Sequence, residues 1–202
     1  MALHSPEEYS KALIDTLQRL HFPAVEQLAE AFLQAREKGQ RIFTFGNGGS
    51  GATASHAAGD FLKGASYGLD KRFRMICLND NLPALMAIAN DIGYEDIFVE
   101  PMKNFLEAGD MAIGISGSGN SANVVRAMQY AKDHGAFTVA MCGFKGGKIK
   151  EMADLVIHAD VMDMEVTEDV HMAVFNMVKK VCMQRTMGDA PSMGEVYDQR
   201  LR

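Results

Sequence analysis

Apolar residues recur at helical spacing through the first forty positions, and the pattern then breaks into short strand-like runs. Leu13, Leu17 and Leu20 fall on one helical face, and Val25, Leu28, Ala29, Phe32 and Leu33 resume the period after Pro23. Ser5-Pro6-Glu7-Glu8 supplies a start signal: a hydroxyl N-cap, a proline whose fixed φ suits the first helical position, and acids in the first turn. Gly39 marks the stop. These two amphipathic helices either cap a sheet or present a face to another subunit. From Arg41 onward, runs rich in branched and aromatic residues at 41–45, 73–78, 111–115, 137–141 and 155–158 alternate with helical segments at 52–63, 82–89, 122–134 and 147–152. Such alternation predicts an α/β fold: a doubly wound, flavodoxin-like sheet of five parallel strands with helices on both faces. A last helix, 165–186, carries Val166, Val170, Val174, Met177 and Val181 on one side, and a polar tail follows Gly188. The division expected is N-terminal helices at 1–40 within the same domain, a ligand-binding domain at 41–187, and a tail at 188–202.

Composition narrows this picture without redirecting it. The 202 residues are 48% hydrophobic and 23% charged, with a net charge of −6, which disfavours a nucleic-acid groove or a polybasic membrane surface. A phosphate is still admissible, because backbone N–H groups alone can hold one. Cys77, Cys142 and Cys182 are odd in number and lack CxxC spacing, so neither a disulfide framework nor a structural zinc is expected. The start MALHSPEEYS lacks a basic and then apolar leader, and no apolar run is long enough to span a bilayer; a cytoplasmic location is the expectation.

Two loops carry the chemistry. Gly46-Asn47-Gly48-Gly49-Ser50-Gly51 follows the first strand and opens a helix, where glycines allow close backbone approach and a helix N-terminus attracts an anion. The string also satisfies G-x-G-x-x-G, with Asp80 placed as a ribose-binding acid. Ser50, Thr53, Ser55 and His56, however, put polar groups at the mouth where a dinucleotide fold packs apolar ones, so no nucleotide cofactor is expected. Ser116-Gly117-Ser118-Gly119-Asn120-Ser121 follows the third strand in the same manner and forms a second nest for phosphate. If the strand order is 2-1-3-4-5, both loops face one crevice, which points to a phosphorylated small molecule. Gly143-Phe144-Lys145-Gly146-Gly147-Lys148 lacks Walker A spacing and reads as a turn.

Three further features bear on reactivity. His56 and Asp60 stand four apart and share a helical face, and Glu168 and His171 form a Glu-x-x-His pair on the last helix. Two acids and two imidazoles flanking one crevice have the composition of a site for zinc or another divalent ion. Asp91 either orients a sugar hydroxyl or caps a helix end.

The strings GNGGSGATASHAAGDF, NDIGYEDIF and GISGSGNSANVVRAM resemble the sugar isomerase (SIS) domain family, and within it the phosphoheptose isomerases, from the N-terminal helices to about Thr186. The resemblance implies an aldose–ketose isomerase that converts sedoheptulose 7-phosphate to D-glycero-D-manno-heptose 7-phosphate. It implies phosphate binding by Ser50, Ser116, Ser118 and Ser121, with Asn47 and Asn120 in matching loops. Gly48, Gly49, His56 and Asp91 complete the candidate substrate contacts, and Asp60, Glu168 and His171, the last in place of the family's missing His, are the candidates for proton transfer. It also implies a metal held by His56, Asp60 and Glu168, and a homotetramer that gives the N-terminal helices their partner. Gly117 replaces a common family Thr, Asp60 a Glu, Glu168 a Gln and Asn176 a functional His, and the segment after Asp60 is one residue longer. Asn176 cannot shuttle a proton at neutral pH. A non-catalytic phosphosugar-binding or partner-binding SIS protein, such as one associating with a replication initiator, is therefore the alternative.

Overall fold

The computed structural model describes residues 4–188. Helices α1 (Pro6–Gln18) and α2 (Phe22–Lys38) come first. The Ser5 hydroxyl accepts the Glu8 N–H at 3.1 Å, and Gly39 ends α2 at φ 68°. The chain then alternates: β1 (Arg41–Gly46), α3 (Gly48–Gly59), β2 (Arg74–Cys77), α4 (Leu82–Asp91), α5 (Val99–Phe105), β3 (Met111–Ser116), α6 (Ala122–Asp133), β4 (Phe137–Cys142), α7 (Gly147–Met152), β5 (Leu155–His158) and α8 (Met164–Met187). α8 starts just after its Asp163 N-cap, whose carboxylate accepts the Val166 N–H at 3.0 Å. The expected tail, past Gly188, lies outside the described residues.

The five strands are parallel in the order β2-β1-β3-β4-β5. Side chains alternate across such a sheet, so Ile42 faces α2, α3 and α8, while Phe43 and Phe45 face α5 and α6. Both faces are dry, as a parallel sheet requires. Thr44 on the first face is fully buried and is satisfied by donating to the Ala54 carbonyl at 3.2 Å.

Two elements differ from the periodicity reading. α5 was not expected, because seven residues containing Pro101 give too short a period; it forms by burying Val99 and Met102. The expected helix over 52–63 begins four residues earlier, inside the glycine loop, and its end widens into a π turn at Asp60–Gly64. Phe61 anchors that turn, fully buried between Phe32 (ring centroids 4.7 Å apart) and Phe73 (5.1 Å).

Candidate functional site

Register places the site. Gly46 at the end of β1 is opposite Ile115 in β3, so the two loops leave the sheet side by side. They line a crevice of about 250 Å³ with Asn47, Gly48, Gly49, Ser50, Ser116, Gly117, Ser118, Ser121, Met164 and Glu168 on its walls. This is the C-terminal edge of the sheet at its switch point, where α/β folds bind ligands. A roomier cleft of about 500 Å³ opens at the opposite edge, by Met111 and Phe137, but has neither glycine nest nor hydroxyl cluster.

The first loop is built from backbone. Gly48 takes φ 53°, and a Cβ on Gly51 would lie 2.8 Å from the Gly46 carbonyl. Neither N-cap side chain, Asn47 for α3 or Ser121 for α6, caps its own helix. Glu168 takes the Ser50 N–H and Asn123 the Val124 N–H, and the N–H groups of Gly48, Gly49, Ala122 and Asn123 remain as candidate anion donors. In the second loop Ser116 and Ser121 hydroxyls lie 3.2 Å apart, and Gly119 turns at φ 68°. A Cβ on Gly117 would meet the Met164 sulfur at 2.6 Å, so a side chain there requires Met164 to move. Met164 thus occupies the side of the loop where the family's Thr would project.

Supporting residues outside the motifs hold both loops. Asn47 and Asn123 exchange paired side-chain amide bonds of 2.9 Å, and Asn123, buried, also accepts the Val124 N–H. The Tyr94 hydroxyl donates to Asn47 at 3.1 Å, while Asn79 brackets Gly46 through its N–H and carbonyl. None of Asn79, Tyr94, Asn123 or Met164 is a candidate from the sequence; the one signal for Tyr94 and Asn123 is that they lie inside the family-like strings NDIGYEDIF and GISGSGNSANVVRAM. The glycine turn at 143–148 has a task beyond turning: the Ile149 N–H donates to the Gly119 carbonyl, and Gly147 packs against Gly119.

The expected site residues divide accordingly. Asn47, Gly48, Gly49, Ser50, Ser116, Ser118 and Ser121 converge. Asn120 does not: its amide is spent inside the loop, donating to the Ser118 carbonyl at 3.0 Å and accepting the Lys148 N–H at 3.2 Å. Asp91 is exposed at the end of α4 and accepts from its neighbour Asn90, away from the crevice walls.

Among the proton-handling residues, Glu168 lies in the crevice, over Gly49, where a Cβ would stand 2.2 Å from its carboxylate. Burial first, then Glu165 and Asp169, raise its pKa, opposed by the Ser50 N–H. His171 does not reach the crevice and is corrected as a catalytic candidate. One helical turn beyond Glu168, α8 turns Val170, His171 and Val174 into the core. The His171 ring is fully buried without a hydrogen-bond partner for either nitrogen among the described residues, and burial drives its pKa down to about 4. Asn176 is exposed.

His56 and Asp60 meet as their spacing predicts, with Nε2 3.5 Å from Oδ2, but neither lines the crevice. Asp60 has a closer partner in Lys179, whose Nζ stands 2.7 Å from Oδ1. Among the described residues no three His, Cys, Asp or Glu side chains gather as a metal-binding group. The metal set expected from His56, Asp60 and Glu168 is therefore not assembled: Glu168 sits at the start of α3, Asp60 at its end, and an ammonium holds Asp60.

Comparison with known proteins adds the family. The SIS domain model matches residues 7–143. A phosphoheptose isomerase of Pelobacter propionicus is 31% identical over 169 residues, covering 83% of this chain and 88% of its own. A probable phosphoheptose isomerase of Thermoplasma volcanium is 34% identical over 157 residues, covering 78% and 80%. Among solved structures, a phosphoheptose isomerase from Neisseria gonorrhoeae superposes with a TM-score of 0.80 at 30% identity, over 89% of this chain and 95% of its own. One from Francisella tularensis matches the fold equally, with a TM-score of 0.80 at 24% identity over 88% and 94%.

Proposed function

The chain belongs to the SIS domain family, among the phosphoheptose isomerases, and from that premise we propose that it is an aldose–ketose isomerase converting sedoheptulose 7-phosphate to D-glycero-D-manno-heptose 7-phosphate. The observation that carries this reading is the single crevice in which the N-termini of α3 and α6 and four serines face one carboxyl of raised pKa. Ser50, Ser116, Ser118 and Ser121 grip the phosphate with the backbone of Gly48 and Gly49. The seven-carbon chain then lies along α3, and its reacting end points toward His56 and Asp60.

Isomerisation moves one proton between neighbouring carbons. A base takes a proton from C1, the electron pair forms the C1–C2 double bond of an enediol, and O2 gains a proton from an acid. The proton returns to C2 and the O1 hydroxyl gives up its own, leaving the C1 aldehyde. Asp60 suits the base, with the His56 imidazole 3.5 Å from its carboxylate as the proton donor to O2, while Glu168, over Gly49 at the other end of α3, lines the phosphate end of the crevice. The chain works as a cytoplasmic homotetramer in this reading. Exposed Leu62, Tyr67, Met86 and Ile92 offer apolar surface for subunit contact, and light scattering after size exclusion measures the state.

A second reading, a phosphosugar-binding protein without turnover, is favoured by one observation: α8 offers exposed Asn176 and buried His171 where a proton-transferring imidazole is expected. Proton NMR of sedoheptulose 7-phosphate with the protein in D₂O separates the two. Aldose signals or deuterium at C1 establish isomerisation; shifted substrate resonances without exchange establish binding alone.

A further inference from the structure

Four features meet at the end of α3. The helix changes to a π turn at Asp60–Gly64, a local widening often found at functional sites. Phe61 fixes that turn in the core. Gly64 leaves a notch for the Lys179 head, since a Cβ there would stand 3.0 Å from Lys179 Cε and 3.1 Å from Nζ. The ammonium filling the notch lies 2.7 Å from Asp60 Oδ1, with His56 on the other carboxylate oxygen at 3.5 Å. The Lys179 and Asp60 side chains are only 19% and 29% exposed, so this pair is shielded more than a surface ion pair. His56 and Asp60 follow Ser50 by six and ten residues, about 9 and 15 Å along the helix axis.

A divalent ion on Asp60 has to approach its oxygen to about 2 Å. Lys179 already holds that side of the carboxylate, and two cations beside one carboxylate repel each other. We propose that Lys179 is a built-in cation: it takes the position beside Asp60 that a metal would need, holds the carboxylate in place for proton transfer, and makes the reaction metal-independent. Lys179 is thus a positioning residue acting through Asp60, and the inference rests on the isomerase reading above.

The test uses full-length protein dialysed against EDTA, with isomerisation followed by NMR and cobalt(II) as a spectroscopic metal probe. Wild-type turnover is expected to stay within about twofold after chelation, and equimolar cobalt to give no protein-bound absorption bands. Lys179→Met is expected to lose at least about 100-fold in kcat, as when a proton-transfer group is disabled, with KM changed less than about threefold. Lys179→Arg is expected to recover part of that kcat, and Lys179→Gln replaces Met if circular dichroism shows misfolding. Asp60→Asn in the Lys179→Met background is expected to add little, because the two act as one unit. Loss of wild-type turnover on chelation with rescue by zinc, a bound-cobalt spectrum, or an unchanged kcat in folded Lys179→Met overturns the proposal. If the wild type shows no exchange in any state, the isomerase reading fails. The cobalt titration then still decides the cation's place: no spectrum supports Lys179 there, and a bound spectrum overturns it.

Discussion

In the proposed reading, the loop end of the crevice and the seam between α3 and α8 are two halves of one site built by different means. At the loops the working parts are backbone N–H groups and serine hydroxyls set by glycine conformations and by strand register. At the seam the working parts are long side chains: Glu168 over Gly49, and Lys179 in the notch of Gly64 against Asp60. A backbone-built site tolerates change in its neighbours but not in its own glycines. A side-chain-built one changes its chemistry when a single partner changes.

The sharpest way to break that contrast is Gly119→Ala. Its Cβ would lie 1.8 Å from the Gly146 carbonyl, at a φ of 68° that favours glycine. The expected cost is about 2–4 kcal/mol of stability and loss of measurable phosphosugar binding, read by thermal melting and calorimetric titration. A variant that binds normally would show that the second loop is not the phosphate nest.

Ser121→Ala and Ser118→Ala probe the same loop more gently. Each removes one hydroxyl facing the crevice and is expected to weaken phosphosugar binding by about tenfold, with little change in melting temperature. Unchanged affinity in both would leave only the backbone as the binding element. Asn123→Ala reaches the first loop from behind. It leaves the Asn47 amide without its buried partner, and severalfold weaker binding is expected together with a stability loss of about 1–2 kcal/mol.

The smallest effect belongs to the seam. Burial raises the Glu168 pKa, so the folded protein binds that proton more tightly than the unfolded chain does. The group therefore favours folding most below the ordinary carboxylate range, and this contribution is lost as pH rises through the raised folded value. Glu168→Gln is expected to melt about 1–3 °C higher than wild type at neutral pH and to match it in acid, as melting curves across pH show. A lower melting temperature at neutral pH would mean that the Ser50 N–H contact outweighs burial. If turnover also falls in this variant while phosphate affinity holds, Glu168 is doing proton work and not merely lining the nest.

Periodicity and glycine spacing already placed the strands and the two loops, because those features depend on local conformation and a repeating apolar face. The strand order entered only as the condition of a flavodoxin-like sheet, and the structure supplied it. The same local rules explain the misses. α5 is too short for its period to register, and the start of α3 hides in a string that reads as a loop until its helical bonds form. Asn120 carries the right residue type in the right loop, yet its amide closes the loop on itself and is not offered to the crevice.

By itself, then, the sequence determined the parallel sheet, the paired glycine loops and the kinship, since glycine positions and two-residue alternation act within a few residues of chain. Only the tertiary structure decided which charged groups serve together. The Glu168–His171 pair has helical spacing, but core packing divides it, giving one residue to the crevice and the other to the apolar interior. The His56–Asp60 pair also has helical spacing, but its nearest cation, Lys179, comes from more than a hundred residues away. Spacing along one helix fixes a direction, whereas the partner met in that direction is set by how two helices pack.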